Sequence, residues 1–479
     1  IQPRFGFNYT FDTERPTQVR GGVGLFQGAS PNVWLAGAYQ NTGLNYVQYE
    51  ERNGGVFQPT VPPYIPPTGL NPACDPVPTL PNCPRQNVDI IAPDFALPSV
   101  WKANVAFEHE LPWHGIVFSA EALVTNTKDG IFIQRLDPFN AAGEGVTAIG
   151  QDGREMFWND NGLNPDNTST FGMTNGRNGA FNRNFRPNGV GDVFLIDNSG
   201  KGESRQLTVG LDKPVVDTWG WSLFYTYTEA TDVSPMTSST NSSNWGSNLV
   251  TNLNEGVAQN SRYAIKDRFT GTVTWRHNFF ADYETRVSMF YEGRSGRPFS
   301  YIFRNDANGD NGGFNDLFYV PEGPGDVVWT GGAAMEADFF AWLEQNGDLA
   351  AYRGMVAPAN AFRAKWVNSF DVRITQELPG FMEGHKSLLS LDIMNIGNLL
   401  NKDWGLIEDY GFNSTQQLAN YAGICGPTTT FAGCAGNEGR YVYHWTGPGA
   451  GAQIQENNND KGNTAVSRWS VMLSFKYQF

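Results

Sequence analysis

The sequence predicts an all-β fold, namely a transmembrane antiparallel β-barrel with long external loops and short periplasmic turns. Apolar and polar residues alternate with a period of two from end to end of the chain, over segments of about ten or more residues. A tilted strand needs this length to cross a bilayer, whereas a strand of a soluble sandwich has about five or six residues. Many segments also end in aromatic residues, which favours interfacial girdles over the alternative of a soluble β-sandwich or propeller.

The composition of the chain narrows the possible classes of protein. Its 479 residues include 33 Lys+Arg and 48 Asp+Glu, which gives a net charge of −15, and 14% of them are aromatic. So many aromatic residues argue against a disordered chain. The acidic balance, without a basic run, argues against a nucleic-acid partner. No apolar run reaches the length of about 18 residues that would predict a transmembrane helix.

Eleven strands are predicted in chain order. They lie near residues 2–12, 16–28, 98–111, 115–126, 203–213, 218–231, 262–277, 282–295, 361–379, 386–399 and 465–479. The last segment shows the pattern most clearly, because Val471, Leu473 and Phe475 share one face. Arg468 and Lys476 lie on the other face. The charged faces predict a wet interior, and the apolar faces predict a band in contact with lipid.

The connections between these segments alternate between short and long. The short ones are residues 12–16, 112–115, 213–218, 277–282 and 379–386, and the long ones are about 29–97, 127–202, 232–262, 295–361 and 400–464. Short periplasmic turns and long external loops are the plan of outer-membrane barrels. Within the loops, residues 59–84 are rich in Pro and predict a stiff extended surface. Residues 336–353 predict a short helix that ends at Gly354, and residues 440–445 predict a hairpin.

The odd number of strands predicts an incomplete barrel. Bacterial single-chain barrels have an even number of strands, and a complete one starts and ends on the periplasmic side. With the C-terminus on that side, eleven alternating strands place the start of the first strand outside. We therefore expect residues 1–479 to be the C-terminal part of one barrel domain, with the plug and the N-terminal half of the barrel outside this sequence. The length alone would instead suggest about three domains.

The four cysteines form two local pairs, Cys74 with Cys83 and Cys425 with Cys434, which have the same spacing. Both pairs lie in segments rich in Pro, Gly and Asn. A zinc site would need closer pairs or nearby histidines, and the chain has only five His. The pattern therefore predicts two disulfides that close loops in an oxidising compartment.

One acidic segment has the residue types of a calcium-binding loop. Asp306, Asn308 and Asp310 place side-chain oxygens at alternate positions, and Asp316 follows shortly after them. Such oxygens can converge on one hard cation, so a structural calcium ion is one interpretation. The segment departs from the EF-hand pattern, because its sixth position is Asn and its twelfth is Leu. The alternative is a solvated turn in an external loop.

Charged residues on the polar strand faces form a second candidate group. It comprises Lys102, Glu108, Glu110, Arg268, Arg276, Glu284, Arg286, Asp371, Arg373, Glu377 and Arg468. Two interpretations are open: these residues pair with each other or with a plug, or they line a path for a substrate. The sequence has no nucleophile elbow, phosphate-binding loop or dinucleotide fingerprint, and its five His are dispersed, so we expect no enzyme activity.

Several blocks of the sequence resemble one family. Residues 3–35, PRFGFNYTFD followed by ERPTQVRGGVGLFQGASPNVWL, resemble the middle barrel of TonB-dependent outer-membrane transporters of the Oar-like branch. Residues 291–321 and 391–405 resemble further barrel segments of these proteins. Residues 467–479, SRWSVMLSFKYQF, are similar to the C-terminal assembly signal of the family, and its aromatic residues here are Phe475, Tyr477 and Phe479. The resemblance covers essentially the whole chain.

The resemblance implies a barrel of about 22 strands with an N-terminal plug and a segment that engages TonB. It implies a receptor or transporter in the outer membrane of Gram-negative cells, which takes up an extracellular ligand with energy delivered through TonB. The implied partners are outer-membrane lipid and lipopolysaccharide, the barrel-assembly machinery and the TonB complex. No cofactor is expected apart from the structural calcium. The alternatives are a passive porin, a surface-adhesion or binding barrel, and an enzyme built into the loops.

Overall fold

The structure is a computed structural model that describes residues 2–29, 31–42, 87–167, 191–216, 218–454 and 467–479. Eleven strands form one long antiparallel path in which each strand pairs with the next one. They are β1 (Arg4–Phe11), β2 (Thr17–Gln27), β3 (Ser99–Glu110), β4 (Val117–Arg135), β5 (Glu203–Val216), β6 (Trp219–Asp232), β7 (Asp267–Phe280), β8 (Tyr283–Arg294), β9 (Val367–Pro379), β10 (Lys386–Met394) and β11 (Ser470–Gln478). The eleven strands predicted from the period-two pattern are therefore confirmed.

Two of these strands end more than three residues from the predicted position. β4 continues to Arg135, because its outer part leaves β5 and pairs with the loop strand Val193–Ser199. β10 ends at Met394, because Asn395 has a left-handed backbone with φ of 50° and a short helix follows it. Both differences lie at the end of the sheet that carries the long loops.

The apolar faces of neighbouring strands are in register across the sheet. Val19 lies opposite Phe107, and Leu391 lies between Ile374 and Leu473. Directly paired residues of an antiparallel sheet point to the same face, so these side chains form one continuous band from β1 to β11. The band is exposed, and Leu473 keeps 69% of its surface. An exposed apolar surface of this extent is typical of strands that face lipid.

The opposite face of the sheet is polar. Ser222 Oγ lies 2.6 Å from Thr272 Oγ1, and Thr274 Oγ1 lies 3.1 Å from Ser288 Oγ. These hydroxyls satisfy one another across neighbouring strands, and the charged residues of the strands share their face. The predicted segregation of apolar and polar residues onto opposite faces is therefore present in the sheet.

The long connections contain short elements of their own. Their strands are Val88–Ile91, Ala148–Ile149, Glu155–Met156, Val193–Ser199, Gln259–Asn260, Pro298–Ile302, Tyr319–Val320, Val328–Trp329, Met355–Val356, Phe362–Arg363, Glu408–Asp409, Thr415–Gln417, Asn420–Ile424, Tyr441–His444 and Gln453–Ile454. Their helices are Asn32–Gln40, Asp160–Leu163, Asn241–Gly246, Gly332–Glu344, Gly347–Ala350 and Ile396–Leu400, with a 3₁₀ turn at Pro165–Asn167. Among the residues that the structure describes, no helix is long and apolar enough to cross a membrane.

Three of the long loops fold together into one loop domain, formed by residues 147–163, 298–362 and 410–445. Its core is aromatic: the ring of Phe303 lies 5.0 Å from Phe318 and 5.4 Å from Tyr443, and Phe339 lies 5.0 Å from Trp445. All five side chains are buried. Aromatic pairs at these distances stabilise the domain beyond the burial of their area. The sequence predicted long loops, but it did not predict that they share a core.

Two predictions about this domain are corrected in detail. The helix predicted over 336–353 is divided into Gly332–Glu344 and Gly347–Ala350, and the chain turns at Gly354, whose φ is 75°. The hairpin predicted over 440–445 is wrong. Tyr441–His444 is a single strand, antiparallel to Asn420–Ile424. The segment stays extended because Tyr441 and Tyr443 are both buried in the shared aromatic core.

Candidate functional site

The charged residues of the polar face contact one another. Glu284 lies between two guanidinium groups, 3.7 Å from Arg276 and 2.7 Å from Arg286. Arg268 contacts Glu292 at 2.7 Å on the neighbouring strand. Pairing across a polar interior was one of the two interpretations drawn from the sequence, and these contacts agree with it. Exposed pairs of this kind contribute about 0–1 kcal/mol each, so they shape the interior more than they stabilise it.

Two further residues of this predicted group, Asp371 and Arg373, lie on β9. Arg373 contacts Asp392 through two hydrogen bonds of 2.5 and 3.0 Å. Asp371 accepts a hydrogen bond of 2.8 Å from the backbone N–H of Asn395. Asp371 therefore holds the left-handed residue that ends β10. A role of either residue toward a plug or a substrate stays a prediction.

The four candidate calcium ligands lie together, and all of them are buried. Asn308 and Asp310 are 0% exposed, and Asp306 and Asp316 nearly so. The turn is therefore not solvated, although its backbone N–H groups donate to its own Asp and Asn side chains as the alternative interpretation expects. The carboxylate of Asp306 accepts the backbone N–H of Gly309 at 2.6 Å. Within the described residues, no three His, Cys, Asp or Glu side chains have the geometry of a metal site, and calcium binding stays a prediction.

Gly309 is required for the turn that carries these residues. Its φ is 83°, and a Cβ atom at this position would lie 2.7 Å from the ring of Trp158. Trp158 in turn donates its ring N–H to the carbonyl of Ala307 at 3.0 Å. A side chain at residue 309 would therefore be strained by its backbone and would displace the tryptophan. The acidic turn is built into the aromatic core of the loop domain.

Arg154 supplies the positive charge that faces this acidic turn. Its Nη1 atom lies 2.7 Å from Asp316 Oδ1, its Nη2 atom lies 3.3 Å from Asp152 Oδ2, and its side chain is fully buried. A further hydrogen bond goes to the carbonyl of Leu317. Burial alone would lower the pKa of Arg154, but the two carboxylates outweigh it and raise the pKa above its ordinary value. The guanidinium is therefore a permanent buried cation between two loops.

A disulfide closes another part of the loop domain. Cys425 and Cys434 are bonded, with Cα atoms 5.1 Å apart, which confirms the second predicted pair. The bond closes the connection between the strands Asn420–Ile424 and Tyr441–His444. Both cysteines are buried. The first predicted pair, Cys74 and Cys83, lies outside the described residues.

The predicted C-terminal assembly signal lies on β11. The hydroxyl of Tyr477 accepts the backbone N–H of Phe381 at 3.1 Å and lies 2.8 Å from Nδ1 of His385. Phe475 faces Leu389 on β10, and Phe479 is almost fully exposed. Tyr477 therefore anchors the last strand to the short turn between β9 and β10. The recognition of these aromatic residues during assembly stays a prediction.

A cavity of about 590 Å³, here called the rim cavity, lies where the polar face of the sheet meets the loops. It is lined by Thr237, Arg262, Tyr263, Ile265, Arg294, Arg297, Pro298, Asp409, Gly411, Phe412 and Ser414. Arg294 is the last residue of β8 and lies opposite Arg268 in register, so it belongs to the polar face. Small-molecule pockets have volumes of about 300–1,000 Å³, and the rim cavity has this size.

A second cavity of about 350 Å³, here called the side cavity, lies at the loop ends of β5 and β6. Its charged lining residues are Glu203, Arg205, Glu229, Lys266 and Arg363. The side cavity holds three cations and two carboxylates, whereas the rim cavity holds three arginines and one aspartate. The rim cavity therefore has the larger excess of positive charge.

Sequence patterns did not identify the residues of the rim cavity. Arg262 lies in an irregular segment and Asp409 lies in a loop strand of only two residues, so no periodic pattern indicates that they meet. Arg294 and Arg297 belong to a block that resembles TonB-dependent transporters, but nothing in that block indicates a pocket. Their meeting depends on contacts between loops far apart in the chain, as in the ion pair of 3.3 Å between Arg297 and Asp409.

Comparison with known proteins agrees with this architecture. A family model described as "Outer membrane beta barrel domain" matches residues 1–403, which contain β1 to β10. The comparison with curated proteins gives no match. The family match therefore covers ten of the eleven strands of the sheet and two of the three segments of the loop domain.

Proposed function

Because the chain belongs to the outer membrane beta barrel domain family, we propose that it forms the C-terminal half of the barrel of a TonB-dependent receptor or transporter. The protein resides in the outer membrane of Gram-negative bacteria. Domains of this family are generally non-enzymatic transport or structural proteins. In our proposal the barrel takes up an extracellular ligand, and TonB delivers the energy through a plug that is not part of residues 1–479.

The observation that carries this proposal is the position of the rim cavity. It lies between the polar face of the sheet and the loops, at the end of the strands that is external in outer-membrane barrels. A ligand in this cavity would be held at the entrance to the interior. A general pore needs no such site, whereas a receptor must bind its ligand before passage.

The two edges of the sheet support the assignment to half of a larger barrel. Within the described residues, β1 pairs only with β2, and β11 pairs only with β10. Backbone groups left unpaired in a bilayer cost several kcal/mol each. Further strands that pair with these edges would remove this cost, as in a barrel of about 22 strands.

The proposed partners follow from the same surfaces. The apolar band would contact outer-membrane lipid and lipopolysaccharide. The barrel-assembly machinery would recognise the aromatic residues of β11. The TonB complex would act on the plug rather than on the residues described here. The charged pairs of the polar face, such as Arg276 with Glu284, would face that plug.

The experiment uses the protein as it occurs in the outer membrane, purified at its native length. A plugged receptor should conduct almost no ions in a planar bilayer, and its N-terminal segment should cross-link to the periplasmic domain of TonB. Protein from a strain in which only that segment is deleted is the control, and it should lose the cross-link. Stable conductance without a cross-link would replace our proposal with a passive porin. Absence of both would favour a surface-adhesion barrel.

A further inference from the structure

The rim cavity is lined by more positive charge than its own carboxylate can balance. Arg262, Arg294 and Arg297 line it, and Asp409 is the one carboxylate among the lining residues that the structure describes. Asp409 contacts Arg297 at 3.3 Å and also accepts the backbone N–H of Gly411 at 2.9 Å. The carboxylate of Asp409 therefore pairs with one arginine and also accepts a backbone hydrogen bond. Two further arginines line the same cavity.

The carboxylates near the cavity do not remove this excess. Arg294 reaches Glu292 at 3.5 Å, but Glu292 already contacts Arg268 at 2.7 Å. Its charge is divided between two guanidinium groups. Asp232, which is not among the lining residues, attracts Arg262, but this attraction is smaller than the effect of burial on that arginine.

The hydrogen bonds of Arg262 go to neutral groups. Its Nη2 atom donates to the carbonyl of Phe412 and lies 3.5 Å from Ser414 Oγ. Burial lowers the pKa of Arg262, and the nearby Arg297 lowers it further, although Asp232 and Tyr263 act in the opposite direction. A guanidinium that is desolvated and placed near another one is stabilised by an added anion.

Two exposed aromatic side chains stand beside these arginines. Tyr263 is 62% exposed and Phe412 is 72% exposed, and both line the cavity. Large aromatic side chains are usually buried, and at binding surfaces they supply a flat apolar contact. Arg297 keeps 60% of its side chain exposed and is therefore accessible from the cavity.

From these observations we infer that the rim cavity binds a small organic anion, in which a carboxylate or phosphate group is carried on a ring. The arginines match the charged group, because the guanidinium fork pairs with the two oxygens of a carboxylate or phosphate. Tyr263 and Phe412 match the ring. The volume of about 590 Å³ suits a molecule of this size. The inference rests on the proposed function, since it names the ligand class of the same site.

The test measures binding to the purified protein in detergent, at its native length, without TonB or an energy source. Calorimetry measures the binding of four probes: 1-naphthyl phosphate, 1-naphthoate, the neutral 1-naphthalenemethanol and inorganic phosphate. At least one naphthyl anion should bind saturably, and the neutral compound should bind at least about tenfold more weakly. A higher salt concentration should lower the affinity of the protein for the naphthyl anion.

Three variants locate the site. Arg297→Gln should lower the affinity for the naphthyl anion by about tenfold or more, because it removes an accessible charged donor. Asp409→Asn should tighten binding, because it removes the one lining carboxylate, and a merely misfolded protein would not show this gain. Arg205→Gln, in the side cavity, is the matched control and should leave the affinity unchanged.

Several results would overturn the inference. They are no saturable binding of either naphthyl anion, equal affinity of the wild type and Arg297→Gln, or inorganic phosphate binding as tightly as the naphthyl anions. The last result would remove the aromatic part of the assignment. Because the assay needs no TonB, failed binding leaves the TonB cross-link as a separate test of the proposed function. A failed cross-link likewise leaves the binding result standing.

Discussion

The guanidinium of Arg154 lies 2.7 Å from the carboxylate of Asp316, and both side chains are buried although 162 residues separate them in the chain. This ion pair joins two external loops. Removing one partner of a buried pair leaves the other charge uncompensated in an environment of low dielectric. The stability of the loop domain should therefore depend strongly on this contact.

We expect Arg154→Met to destabilise the loop domain by about 3–5 kcal/mol. The measurement is pulse proteolysis in urea, which gives the urea concentration at which the loop domain becomes cleavable. Arg205→Met is the control, because Arg205 contacts Glu203 at 3.1 Å in an exposed pair that contributes about 0–1 kcal/mol. Equal urea midpoints for the two variants would show that the buried pair is not needed.

The disulfide should also stabilise the loop domain. The double variant Cys425→Ser with Cys434→Ser should lower the free energy of unfolding of this domain by about 2–3 kcal/mol, because it frees a short closed loop in the unfolded state. The same proteolysis assay measures the change. Alkylation and mass spectrometry should find the two thiols of the wild type modified only after reduction. Modification of Cys425 before reduction would contradict the bond.

The stability of the loop domain should fall at acidic pH through His444. Burial, and then Arg304, lower the pKa of this imidazole below its ordinary value of 6.5. Between the folded-state pKa and 6.5, the unfolded chain therefore binds a proton more readily than the folded one. The stability that neutral His444 contributes is thus complete above pH 6.5 and is lost as the pH falls through the folded-state pKa. The urea midpoint should drop between about pH 7.5 and pH 5.

His444→Gln is the variant that isolates this effect. Its amide can still reach Thr330, whose Oγ1 lies 2.7 Å from Nδ1 of His444 in the wild type. The variant should show a smaller loss of stability between the two pH values than the wild type. A pH dependence that is the same in both proteins would assign the effect to other groups.

Calcium should protect the acidic turn if the prediction from its sequence is right. Adding calcium to protein treated with a chelator should slow protease cleavage within residues 295–361, because oxygen ligands from Asp306, Asn308, Asp310 and Asp316 would bridge the turn. Asp310→Asn should weaken this protection, and Asp348→Asn, a carboxylate in the same segment but outside the turn, should not. Cleavage at the same rate with and without calcium would disprove the prediction.

The sheet could be predicted from the sequence because each of its strands has a local signal. Residues such as Leu473 and Phe475 alternate with polar neighbours, and the alternation alone locates a strand and its lipid face. The end of β10 could not be predicted in this way, because it depends on Asn395 and on the hydrogen bond that its backbone N–H donates to Asp371 on another strand.

The loop domain could not be predicted, because its contacts are not local. Arg154 has no periodic neighbours, and although Asp152 lies close to it in the chain, its other carboxylate partner, Asp316, comes from a different loop. The sequence did identify the acidic turn and the bonded cysteines, since both depend on closely spaced residues. The rim cavity depends on Arg262, Arg297 and Asp409 meeting across three segments, which no local pattern records.

The shared aromatic core of the loop domain has a consequence for how this surface can diversify. External loops of outer-membrane proteins are exposed to antibodies and phages, and independent loops could each change freely. Here Trp158 and Phe318 belong to different loops but to one core, so substitutions at such positions are coupled rather than additive. Within the described part of the loop domain, we expect independent change at outward positions such as Phe314 and Met355, which are exposed.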